Sequence, residues 1–81
     1  MRVTVKLFAG ARHTAGADAI QVELTEEATV GTLRVALADQ HPQLASLVAR
    51  SLLAVGEEYA GEETPLKADA EIALIPPVSG G

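Results

Sequence analysis

From Arg2 to Phe8 polar and apolar residues alternate, with Val3, Val5 and Leu7 on one side and Arg2, Thr4, Lys6 and Phe8 on the other. This is the period of a strand that buries one face. The alternation returns from Asp18 to Leu24, where Ile20, Val22 and Leu24 face inward and Gln21 and Glu23 outward. The two segments can therefore pair as antiparallel strands. Between them Ala9 to Ala17 is rich in small residues and carries Gly10 and Gly16. It reads as a connection with room for one helical turn around Arg12.

After Glu26 and Glu27 the period lengthens. Val30, Leu33 and Leu37 recur at spacings of three and four, the stripe of an amphipathic helix, while Arg34 and Asp39 fall elsewhere on the cylinder. Thr29 suits the N-cap, since its hydroxyl can accept from a free amide of the first turn, and the preceding acids suit the positive helix end. Pro42 stops the run, because the residue before a proline avoids helical angles.

Leu44, Leu47 and Val48 suggest a second short helix, and Ser51 to Val55 a buried strand closed by Gly56. Glu57 to Asp69 is acidic, contains Gly61 and Pro65, and reads as turn and loop with space for one short strand near Tyr59. Ala70 to Ile75 is apolar apart from Glu71, the pattern of a strand in the sheet interior. Pro76 and Pro77 cannot donate to a ladder, so the sheet ends before them.

A helix of about twelve residues measures roughly 18 Å and strands of six to seven roughly 20 to 23 Å, so the helix can lie across one small sheet. The order strand, strand, helix, strand, loop, strand predicts an α+β domain of two layers over residues 1–75, followed by a tail over 76–81.

At 81 residues such a domain buries only about 60 to 65 % of the surface its unfolded chain exposes, and a deep cofactor pocket is not expected. Phe8 and Tyr59 are the two aromatic residues, which leaves packing to Val, Ile, Leu and Ala. The net charge is −5, with Glu57, Glu58, Glu62, Glu63, Asp69 and Glu71 gathered in the last third. Nucleic acid and anionic lipid are disfavoured as partners, and a basic protein face is favoured. Solvation of an exposed loop would explain the same acids. Absence of cysteine excludes a disulfide framework, a thiolate metal site and a cysteine nucleophile. No apolar run reaches membrane-spanning length and no signal-peptide pattern opens the chain, so the expected location is the cytosol.

Chemistry concentrates in Pro76-Pro77-Val78-Ser79-Gly80-Gly81. Two prolines favour a stiff, extended backbone, and two glycines make the end as thin as a peptide can be. Six residues reach about 20 Å at most, enough to thread a narrow channel in another protein. The terminal carboxylate of Gly81 is ionised at neutral pH and is a poor electrophile. Joined to AMP by an ATP-using enzyme it becomes reactive, and a sulfur donor displacing AMP would leave a thiocarboxylate. In a chain without thiols this is the obvious place to hold reactive sulfur. Two terminal glycines arise by chance in roughly one chain in 200, so the prolines and the fold carry part of the argument.

From Ile75 through Pro76-Pro77-Val78-Ser79-Gly80-Gly81 the sequence resembles the small subunit of molybdopterin synthase, whose chains end in Pro-Pro-Val-(Ser/Thr/Ala)-Gly-Gly. Leu7-Phe8-Ala9 with Arg12 and Gly16, Thr29-Val30 with Leu33-Arg34, and Glu71-Ile72-Ala73 extend the likeness over nearly the whole chain. Val55-Gly56, Asp69-Ala70 and the aliphatic Leu74-Ile75 depart from the family's usual Val-Asn, Gly-Asp and aromatic residues.

The resemblance implies a ubiquitin-like β-grasp, with one mixed sheet packed on one helix and the last strand parallel to the first in the sheet centre. It also implies a sulfur carrier of molybdenum cofactor synthesis that is not catalytic alone. A ubiquitin-activating-like adenylyltransferase would adenylate Gly81 with ATP, and a sulfur donor protein would supply the sulfur. The large catalytic subunit would then receive the tail and pass sulfur to cyclic pyranopterin monophosphate. No cofactor or metal on the chain itself is implied. Gly80, Ser79, Val78, Pro77 and Pro76 would give access, and Phe8, Leu74 and Ile75 are docking candidates that could equally be core or sheet packing. The same ending would serve a carrier for thiamin, cysteine or tungsten cofactor synthesis, or a modifier joined to lysine. His13 and His41 lack a ligand cluster, Ser46, Ser51 and Ser79 lack a nucleophile motif, and Gly10 and Gly16 do not form a phosphate loop.

Overall fold

The computed structural model describes residues 1–77. Strand β1 (Arg2–Leu7) is an interior strand of a five-stranded sheet, antiparallel to β2 (Ala19–Glu23) on one side and parallel to β5 (Ile72–Ile75) on the other. Beyond β5 lie β3 (Leu52–Val55) and β4 (Glu58–Tyr59), so the order is β2-β1-β5-β3-β4. The parallel placement of first and last strands expected from the β-grasp resemblance is thus observed.

Val3, Val5, Leu7, Val22, Leu53, Ile72 and Leu74 point to one face of the sheet. There they bury against Val30, Leu33 and Leu37 of α2 (Val30–Gln40) and against Val48 of α3 (Ala45–Arg50). Leu44, in the 3₁₀ turn Pro42–Leu44 that joins these helices, completes the contact. Thr29 caps α2 as its position suggested, its hydroxyl accepting from the Thr32 amide at 3.3 Å.

Three sequence expectations change. Ala9–Ala15 forms a two-turn helix, α1, where only one turn was expected. Its alanines favour helix, Ala11 is fully buried against the core, and Gly16 at φ 69° closes it, its amide donating a hydrogen bond to the Arg12 carbonyl. The sheet is accordingly packed by three helices, of which α2 is the longest, instead of one. Strand β3 is buried only at Leu53, because among the described residues no helix covers the opposite sheet face, and Leu52 remains 53 % exposed.

The acidic loop is strapped to the start of α2. The Val30 and Gly31 amides, which a helix cannot satisfy internally, donate to the carbonyls of Thr64 and Glu62 at 2.9 and 2.8 Å. Leu66 donates to the Ala28 carbonyl and buries its side chain. Gly31 permits this approach, since a Cβ there would sit 3.2 Å from the Glu62 carbonyl oxygen.

Candidate functional site

The central strand β5 leads directly into the tail. Ile75 ends the ladder, Pro76 is half-buried and Pro77 is exposed. Val78, Ser79, Gly80 and Gly81 lie outside the described residues.

At this exit the uncovered face of the sheet carries an apolar row. Ile75 is paired with Leu52 across β3 and β5. On the other side, Leu7 is paired with Leu74, and Phe8 continues β1 in extended conformation by one residue, beside Ile75. Phe8 and Leu52 are 44 % and 53 % exposed and flank Ile75 at about one strand spacing each, roughly 4.8 Å. Phe8 is held in place by the first turn of α1, where its carbonyl accepts from the Ala11 and Arg12 amides at 3.1 and 3.4 Å.

The next row along the strands is Lys6, Ala73, Ala54 and Tyr59 in register. The two alanines leave a shallow depression of about 160 Å³, edged by Lys6, Glu57 and Glu71. Tyr59, 70 % exposed, stands at the outer end. The uncovered face thus runs from apolar side chains at the tail root to a charged rim of Lys6, Glu57 and Glu71 at the far end of β5.

Of the three docking candidates, Phe8 and Ile75 lie together on this face. Leu74 does not, because alternation along β5 turns it inward, where it is 0 % exposed and belongs to the core. Leu52 and Tyr59 were not singled out from the sequence. The signal available was the alternation Leu52-Leu53-Ala54, which a strand covered on one side turns into one exposed and one buried leucine.

The other polar candidates have structural explanations. Ser51 is buried and donates to the Leu47 carbonyl at 2.6 Å, closing α3. His41 Nε2 donates to the Gln21 carbonyl at 3.0 Å, and His13 is exposed on α1. Among the described residues no group of His, Asp and Glu could hold a metal ion, and no helix is long and apolar enough to cross a membrane.

Comparison with known proteins agrees with this geometry. The chain is 40 % identical over 80 residues to the molybdopterin synthase sulfur carrier subunit of Dictyostelium discoideum, covering 95 % of this chain and 93 % of that one. The crystal structure of SAMP1 from Haloferax volcanii matches with a TM-score of 0.86 at 34 % identity, covering both chains completely. A complex of subunits 1 and 2 of the molybdopterin-converting factor from Helicobacter pylori contains a chain with the same fold, at a TM-score of 0.69, 23 % identity and complete coverage of both chains. The ThiS family model matches residues 5–81, nearly the whole domain together with its tail, and the chain therefore belongs to the ThiS family.

Proposed function

We propose that this protein is the sulfur carrier of molybdopterin synthase and that its working group is the carboxyl of Gly81. The observation that carries the reading is the geometry of the tail root, where the central strand β5 runs out through Pro76 and Pro77 beside exposed Phe8 and Leu52 and half-buried Ile75. One surface can then grip a partner while the adjoining chain enters it. The net charge of −5 suits a partner with a basic docking face.

The chemistry follows from the carboxylate. Its oxygen attacks the α-phosphate of ATP, pyrophosphate leaves, and the acyl-adenylate forms. The outer sulfur of a donor protein's persulfide adds to the acyl carbon and AMP departs; a thiol then attacks the donor sulfur of the resulting acyl disulfide, releasing the thiocarboxylate and forming a disulfide with the donor. Docked on the large subunit, the tail presents this sulfur to cyclic pyranopterin monophosphate. Two such transfers build the dithiolene, and water restores the carboxylate. The large subunit supplies the catalytic side chains, and ATP is consumed only by the activating enzyme.

Intact mass spectrometry after incubation with activating enzyme, ATP and a sulfur donor tests the proposal. The expected product has one oxygen replaced by sulfur at the C-terminus, and its absence would overturn the carrier role. A second reading is favoured by the likeness to the modifier protein SAMP1: the same activated carboxyl could be passed to a lysine amine, giving an isopeptide bond. Conjugates on a protein gel after activation would support it.

A further inference from the structure

Strand β2 forms one edge of the sheet. The Leu24 amide donates to the Met1 carbonyl and the Leu7 amide to the Asp18 carbonyl, and the register between them is regular. The even-numbered residues of β2 therefore bond to β1, while the amides and carbonyls of Ala19, Gln21 and Glu23 face outward. An edge of this kind is a template for another strand.

That edge is already occupied by the end of α2. The Gln40 carboxamide forms a two-way pair with the backbone of Glu23, its Oε1 accepting from the amide and its Nε2 donating to the carbonyl, both at 2.9 Å. These are the two bonds that a residue of a neighbouring strand would make. His41 adds a third, to the Gln21 carbonyl at 3.0 Å.

Without these side chains the edge is self-complementary. Two copies paired antiparallel about Gln21 would set Gln21 against Gln21, Glu23 against Ala19 and Ile20 against Val22, so the charged Glu23 never meets its own kind. The outward-facing groups of Ala19, Gln21 and Glu23 are those this two-fold register would bond.

We propose that Gln40, assisted by His41, closes the β2 edge against a second copy of this chain by standing in for the strand that would pair there. The α2 terminus then withholds the β2 edge from strand pairing between copies.

The test compares the full chain with Gln40→Ala and Gln40→Ala/His41→Ala by light scattering up to millimolar concentration. Circular dichroism monitors folding. Neither side chain belongs to the core, and the His41 amide keeps its bond to the Leu37 carbonyl. The parent is expected to be monomeric, and the double variant to dimerise with rising concentration. Hydrogen exchange at the Glu23 amide should be about tenfold faster in dilute Gln40→Ala than in the parent. Adding Gln21→Pro to the double variant removes the outward amide that pairing requires and should restore the monomer. A folded double variant that stays monomeric overturns the proposal, as does a dimer that survives Gln21→Pro.

Discussion

Arg34 on α2 meets Glu62 of the acidic loop through Nε at 2.8 Å, while its NH1 group donates to the carbonyls of Val48 and Ser51 at 2.6 and 2.8 Å. One guanidinium thus fastens α2 to the C-terminal end of α3 and to the loop strapped across the α2 N-terminus. Its side chain is 23 % exposed and that of Glu62 is 56 % exposed. The carbonyl bonds should outweigh the ion pair, which solvent screens. Arg34→Ala is expected to lose about 2 to 3 kcal/mol in urea unfolding, and Glu62→Ala about 0.5 to 1. Arg34→Lys should recover little, because an ammonium cannot present the same fork.

The β3–β4 hairpin turns on Gly56 and Glu57, both at positive φ, 59° and 71°. A two-residue loop of this form matches the twist of the strands it joins, and glutamate is an unfavourable residue for its second position. Glu57→Gly should stabilise by about 0.5 to 1 kcal/mol, since relief of left-handed strain exceeds the added unfolded-state entropy. Gly56→Ala should destabilise by about 1 kcal/mol. No atom lies within 4 Å of a Cβ built at Gly56, so that loss would report backbone strain, less the gain from a stiffer unfolded chain, with no steric clash. Thermal melts of the two variants check the opposite signs.

Residues on the two faces of the sheet should behave oppositely. Leu74→Ala leaves a hole in the fully buried core and should lose about 2 to 5 kcal/mol of stability. Phe8→Ala and Leu52→Asp alter exposed side chains and should keep the fold while weakening capture by the large subunit at least about tenfold. Calorimetric titration of the folded variants decides this. Unchanged affinity in both would remove the apolar row from the docking surface.

Deleting Gly81, or adding one residue after it, should abolish sulfur transfer while leaving the melting temperature within about 1 °C of the parent. The domain core lies upstream of Pro76, so a change at Gly81 is expected to leave it intact. Conversion of the pterin precursor by the extended chain at the parent rate would contradict the mechanism.

Much of the fold was legible along the chain because most of its signals are local. Alternation in Arg2–Leu7 and Ala19–Glu23, the Thr29 cap with the Val30, Leu33 and Leu37 stripe, and the stop at Pro42 each depend on residues a few positions apart. The helix over Ala9–Ala15 was underestimated, because Gly10 and Gly16 read as loop while the burial of Ala11 that supports it is supplied by distant residues. The acidic loop gave no firm signal, since its order comes from carbonyls that satisfy the Val30 and Gly31 amides.

The sequence by itself determined the α+β class and the end of the sheet before Pro76, because residue type and spacing are sufficient for each. Only the tertiary structure decided that Ile75 faces outward with Phe8 and Leu52 while Leu74 is lost to the core, and that Gln40 covers the β2 edge. These assignments depend on which sheet face the helices cover and on where α2 ends, and both are settled by contacts between residues far apart in the chain.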